Sequence, residues 1–319
     1  MKLTNLAIIF FVINILLTTI LDVRTNNLTA VTNKKIEYNK ALDSAIDDGV
    51  IDLVEVDSKR NLILNKEAAV NQFYGSLYAN FGVIGDSRLE NSLKGYIPVI
   101  LITDTDGFYI YYSDIYQSDG EKQIGQKWSE KVPYAYEDGS LIYNLTLGNY
   151  VTIYDKSSNE IYEGDYRDLK MQFPDSIMAA EDTFDIIRRN TIISAIEERM
   201  NYYINQHNNI ANQFGITYQF WLPQIDKTDW YRTIDDISLL VIFQGYPYNA
   251  AGLDTYNHYA LGGARIKKSK VYYITENNGI QYYHKADCPH VNEVEGIIAY
   301  YSKEECALEG AYPCPDCNP

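Results

Sequence analysis

The sequence predicts an α+β protein with an N-terminal apolar helix, a mixed body of antiparallel strands with one long helix, and a small cysteine-bearing module at the C-terminus. Three observations carry this. Leu6–Leu21 is an apolar run of 16 residues, interrupted by Asn14 and two threonines. Strand-like runs on either side of Asp106-Gly107 are followed by a stretch of helical periodicity over 176–214. All four cysteines fall within the last 32 of 319 residues. The expected division is 1–24, membrane anchor; 25–82, helical stalk and start of the body; 83–264, α+β body; and 265–319, C-terminal module.

The apolar run is near the lower limit for a spanning helix, about 17–25 residues. No small-x-small cleavage site follows it and no cysteine that could carry a lipid, so the expectation is an uncleaved anchor at 6–21. A cleaved signal and a buried helix are the alternatives. Lys2 precedes the run, whereas Arg24, Lys34, Lys35 and Lys40 follow it among Asp22, Glu37 and Asp43. Long domains translocate largely regardless of such charges, and the expected topology puts the C-terminal body outside the cell.

Residues 27–48 read as a helix continuing the anchor, with Ile36, Leu42, Ala45 and Ile46 at helical spacing and Gly49 as its C-cap. "VIDLVEVD" alternates as a short strand. Asn65 is placed to cap a helix whose inner stripe is Val70, Phe73, Leu77, Tyr78 and Phe81, ending at Gly82. The Asp106-Gly107 pair predicts a hairpin turn. Asp104, Asp106 and Asp114 lack the spacing and closing glutamate of a calcium loop. Further turns are expected at Asp138-Gly139 and Gly164-Asp165.

In the long helix Phe184, Ile187, Ile192, Ile196, Met200, Tyr203, Ile210 and Phe214 form the apolar face, closed by Gly215. His207 falls on that face and reads as a hydrogen-bonded core histidine. "ITYQFWLP" and "SLLVIFQGYPY" read as strands closed by Pro223 and Pro247. Residues 249–264 read as a glycine-bearing loop containing His258, and "RIKKSK" as a linker.

With a net charge of −16 the chain repels phosphate, which disfavours a nucleic-acid partner. No GxSxG, HExxH or kinase-type motif occurs, and Gly252, Gly262 and Gly263 lack dinucleotide spacing, so nothing warrants naming an enzyme. Thirty tyrosines against 27 lysines and arginines suit half-buried sheet surfaces and interfaces.

The tail carries the one specific chemical signal. Cys314-Pro-Asp-Cys317 is a CxxC knuckle, and His284 and Cys288 form a second pair, giving His-x3-Cys-x25-Cys-x2-Cys. Mixed nitrogen and thiolate donors at this spacing point to a structural Zn2+ in a Cys3His site, with His284, Cys288, Cys314 and Cys317 as ligands. Two disulfides are the competing reading, and His290 the competing nitrogen ligand. Ser302 and Glu305 form a capping box for a short helix on which Cys306 is a core residue.

"YHKADCPH", "SKEECALEGAYPCPDCNP" and the final proline resemble the zinc domain of Ada-type DNA-repair proteins, over about 45 residues. In that family a first ligand pair spaced x3 precedes a helix and a P-C-x-x-C-x-P knuckle. The resemblance carries the zinc ligands onto His284, Cys288, Cys314 and Cys317. The family's methyl-accepting cysteine is replaced by His284, so methyl transfer is not expected. From Arg265 onward six basic and eight acidic residues also make a poor DNA surface.

The layout of the body looks loosely like pilin-like components of bacterial surface or secretion systems, though without their glycine-hydrophobe-glutamate start. The expectation is a non-enzymatic, membrane-anchored extracellular component whose partners are other membrane or surface-apparatus proteins. A Cache/PAS-like extracellular sensor is one alternative, from "ITDTDGFYIYY". An enzyme or nucleic-acid-processing factor using the zinc module for binding is another, and a soluble cytoplasmic zinc protein a third.

Overall fold

The computed structural model describes residues 3–56, 62–118, 120–248, 255–264, 272–277, 279–285, 288–291, 299–300, 303–317 and 319. The chain forms two compact units, Met1–Ala264 and Arg265–Pro319.

The first unit runs α1 (Leu3–Ile51), β1 (Val54–Val56), β2 (Leu62–Leu64), α2 (Lys66–Asn80), α3 (Ser87–Lys94), β3 (Val99–Asp104), β4 (Gly107–Ser118), β5 (Glu121–Trp128), β6 (Val132–Asp138), β7 (Leu141–Leu145), β8 (Tyr150–Asp155), β9 (Glu160–Asp165), α4 (Tyr166–Leu169), α5 (Glu181–Ala211), α6 (Lys227–Ile234), β10 (Ser238–Pro247) and β11 (Thr255–Gly263). Nine strands make one antiparallel sheet in the order β11-β10-β3-β4-β6-β7-β8-β9, with β5 paired to the far half of β4.

The centre of the sheet is covered on both faces, which is why β10 reads as an unbroken apolar run rather than an alternating one. Leu240 and Ile242 join Leu101, Phe108 and Ile110 in a core completed by Phe184, Ile192, Ile196, Met200 and Ile204 of α5 and Trp230 and Ile234 of α6. Residues on the alternate face meet α1 and α2. Leu239 lies beside Gly49 and Phe73, and Phe243 packs on Phe81 and Tyr256.

The long N-terminal helix is continuous, and its two halves have opposite surroundings. Leu42, Ala45 and Ile46 are at most 1% exposed, whereas Phe10, Phe11 and Leu16 are more than half exposed. The helix runs through Gly49 to Ile51, so Gly49 is an interior residue, not the expected C-cap. Its Cα faces Phe73 and Leu239 too closely to leave the helix exposed there. Asn65 does cap α2, its side chain accepting from the Ala68 N–H at 3.2 Å.

Other boundaries differ from the sequence reading for physical reasons. The β3–β4 turn is Thr105–Asp106, with Asp104 opposite Gly107 in the ladder. Gly107 is a strand residue: a Cβ there would stand 2.6 Å from the Val132 carbonyl, so it permits close pairing with β6. Gly164 lies within β9 opposite Val151 instead of in a turn. Residues 216–223 form no strand. Their backbone is held by side chains, Asn208 exchanging two hydrogen bonds with Phe220 (2.8 and 2.9 Å) and Gln244 accepting from the Trp221 N–H. Residues 255–263, read as loop, are β11, paired along their length with β10. The preceding 249–254, the "RIKKSK" stretch and Ser302 of the capping box lie outside the described residues.

His207 is fully buried and its Nε2 lies 2.8 Å from the Gly95 carbonyl, which is the core role read from the sequence. Asp104 and Asp106 are engaged by Lys131, and Asp114 by Lys127 and Gln206.

The second unit contains β12 (Tyr272–Asn277), β13 (Ile280–Lys285), β14 (Ala299–Tyr300), α7 (Lys303–Leu308) and β15 (Tyr312–Pro313). The sheet order is β14-β12-β13-β15, the last pair being parallel. Tyr272, Tyr283, Cys306 and Ala311 form its small core, so Cys306 is a packing residue.

Candidate metal centre

Local chain geometry converges the ligands. β13 ends in His284-Lys285, and the Cys288 N–H donates back to the Lys285 carbonyl at 3.1 Å. The parallel pairing of β15 puts Pro313 beside Tyr283, and the Cys314 N–H donates to the Tyr283 carbonyl at 3.0 Å. The knuckle therefore starts beside His284. Lys285 then ties its far end, Nζ donating to the Cys317 carbonyl at 2.9 Å.

His284, Cys288, Cys314 and Cys317 are brought together, with one donor atom from each lying within 4.8 Å of every other. The first three are buried and Cys317 is half-buried. All four cysteines are free thiols. His284 Nδ1 faces the sulfurs, 3.3 Å from Cys288 Sγ. Its Nε2 is 2.8 Å from the Thr275 hydroxyl, so with Nδ1 as donor to a cation Nε2–H donates to Thr275 Oγ1.

The electrostatics suit a cation. Burial, with the neighbouring thiols, pushes the Cys288 thiol up to about 11. Burial also opposes ionisation of Cys314, but N–H groups of Cys317 and Asp316 and the adjacent thiols outweigh it and hold this thiol below its usual range. Burial and the nearby His290 lower the His284 pKa, favouring the neutral imidazole that can ligate. A positive ion among these sulfurs would reverse the cost of ionising Cys288.

His290 stands outside this set. It is exposed, and its Nε2 lies 2.8 Å from Asp316 Oδ2. It groups with Cys314 and Asp316 on the wall of a cleft of about 460 Å3 that also includes Thr275 and Glu276. The sequence reading missed Thr275. Asn278-Gly279 is a hairpin signal that would have found it, since pairing Asn277 with Ile280 puts Thr275 diagonal to His284 on one face.

No match is found among protein-family models, curated proteins or solved structures.

Proposed function

We propose that the chain is a membrane-anchored structural or binding component of a bacterial surface or secretion apparatus, pilus-like in plan, with an extracellular body and a structural zinc module. The observation that carries the anchor is the contrast along α1. None of its most apolar 18-residue window is buried, although the same helix is deeply buried further on. Eighteen residues rise about 27 Å, close to the ~30 Å hydrocarbon core of a bilayer. The polar residues in this stretch suit lipid as well. Asn14, Thr18 and Thr19 donate to carbonyls of the preceding turn at 2.8–2.9 Å, so both hydroxyls and one Asn14 N–H are satisfied within the helix.

Zinc is the ion favoured by three thiolates and an imidazole, and four protein donors fill a tetrahedral shell with no place for substrate water. That supports a stapling role in a unit of only 55 residues. The Ada-like ligand spacing supports the same reading, with His284 removing the nucleophile. The test is membrane fractionation of the full chain beside a form lacking residues 1–24, with protease accessibility in intact cells. The full chain pellets with membranes and is cleaved from outside, and the short form is released. Recovery of the full chain in the soluble fraction would sink the anchor, and protection in intact cells would sink the topology. Metal analysis should find about one zinc per chain, lost in His284→Ala; oxidised cysteines without metal would replace the zinc module by disulfides.

A further inference from the structure

Asn14 sits at the middle of the apolar run Leu6–Leu21. One of its N–H groups donates to the Phe10 carbonyl at 2.9 Å, and its other N–H and its Oδ1 have no partner among the described residues. Hydrocarbon supplies neither donor nor acceptor, so these two groups are costly until another polar group reaches them. Thr18, one turn on, is already engaged with the Asn14 and Ile15 carbonyls.

The residues in line with Asn14 form a seven-residue repeat. Asn14, Leu21 and Leu28 recur at that spacing, with Leu17 and Val31 between and beyond them on the same face. Leu17, Leu21 and Leu28 are each more than half exposed, so the body does not cover this face. A stripe of this period is the seam of a left-handed pair of helices. Arg24 is the charged member of the repeat, and it stands just past the apolar run, where its long stem lets the guanidinium leave the seam for water.

Beyond the run the same helix has little support of its own. The stretch 25–33, "TNNLTAVTN", is exposed or half-exposed and holds three threonines, three asparagines and no charge. Such residues are weak helix formers, and they offer no ion pairs one turn apart. Thr29 and Thr32 donate back to the Thr25 and Leu28 carbonyls at 2.9 and 2.8 Å, a bond that slightly weakens a helix. Yet α1 is unbroken here, and helices in proteins owe most of their stability to packing against a neighbour.

We propose that two copies of this chain pair in parallel along this face of α1, their Asn14 amides hydrogen-bonded to each other within the bilayer and Leu28 and Val31 closing the seam in water. The proposal rests on reading residues 6–21 as a membrane anchor. A second copy meets each need at its own height. An amide is donor and acceptor at once, so two Asn14 side chains related by a twofold axis along the membrane normal satisfy each other. A shared membrane makes both helices run the same way, which keeps Asn14 level with Asn14 and Leu28 level with Leu28.

The test starts from membranes carrying the full chain, as the parent and as Leu28→Cys and Asn26→Cys, oxidised with copper phenanthroline. Leu28 lies on the seam and Asn26 on the opposite face, and a disulfide needs Cα atoms within about 7 Å. Leu28→Cys should give a linked dimer above the parent, which keeps the four native cysteines as baseline, and Asn26→Cys should not. Sedimentation equilibrium in density-matched detergent then reads the dissociation constant of the pair. Asn14→Leu should weaken it about three- to thirtyfold and Asn14→Gln should restore it, with circular dichroism unchanged. Equal linking from the two positions, or an unchanged constant in Asn14→Leu, overturns the pairing and leaves the anchor standing. Absence of the chain from the membrane fraction before oxidation removes the anchor and the pairing together.

Discussion

Thr275 and His207 show how a single polar contact sets the behaviour of a buried ring. The Thr275 hydroxyl takes the face of His284 that does not look at the sulfurs. Thr275→Val should therefore lower metal affinity by about 10–100-fold, the usual effect of losing such a partner, whereas Thr275→Ser should keep it. Competition with a chromophoric chelator measures both. His207 is held neutral by burial, which depresses its pKa from 6.5 to about 4, against the opposing hydrogen bond to Gly95. Because the folded value lies below the unfolded one, its contribution is fully present above about pH 6.5 and is lost as pH falls through about 4. The difference is roughly 3 kcal/mol. Urea titrations at pH 7 and 4 should show a smaller acid loss in His207→Gln than in the parent, and equal losses would contradict this. The metal ligands were legible in the sequence because their pairs are local, x3 and x2. Thr275 carries no motif and becomes visible only through strand pairing.

Close approach between elements explains most of what the sequence concealed. Gly262 was read as loop, yet it sits in β11 where α1 crosses: a Cβ there would fall 2.6 Å from Ile46 Cγ2 and 2.7 Å from Val50 Cγ2. Gly262→Val should destabilise the body by about 1–3 kcal/mol or more through overpacking, seen as a lower thermal midpoint. An unchanged midpoint would mean that α1 is loosely seated. The strands β3, β4 and β10 were legible because their apolar content is dense and their turn chemistry is local. The segment 216–223 has the composition of a strand, but Asn208 and Gln244 take its backbone hydrogen bonds. Periodicity sees apolar spacing and is blind to which group satisfies an amide. The capped helix α6 was also passed over, although Asp226 accepts from the Thr228 N–H at 2.8 Å, an ordinary start signal.

For the whole molecule, the division of labour along α1 makes a further prediction. Because its apolar window is unburied, a chain starting at residue 25 should keep its secondary structure and melt within a few degrees of the detergent-held parent. A collapse of the melting transition would show that the apolar half supports the fold. The long apolar N-terminal helix, the mixed α+β body and the cysteine-bearing tail were each legible from composition and periodicity. The double-sided burial of the sheet was legible in β3 and β10, whose apolar runs are too continuous for a half-exposed face.

The contact between the ends of the body also has a history. Asn39 accepts a hydrogen bond from the Tyr256 hydroxyl across 217 residues of chain. During synthesis α1 leaves the ribosome first, and the strand that covers its inner face comes last among the elements of the body. At about 5–20 residues per second, that interval is on the order of 10–40 s. For that time the stripe Leu42, Ala45 and Ile46 has no β11 to rest on, while the apolar half is free to enter lipid. β11 is thus the last strand of the body to reach the inner stripe of α1, and acts as the latch that completes its cover.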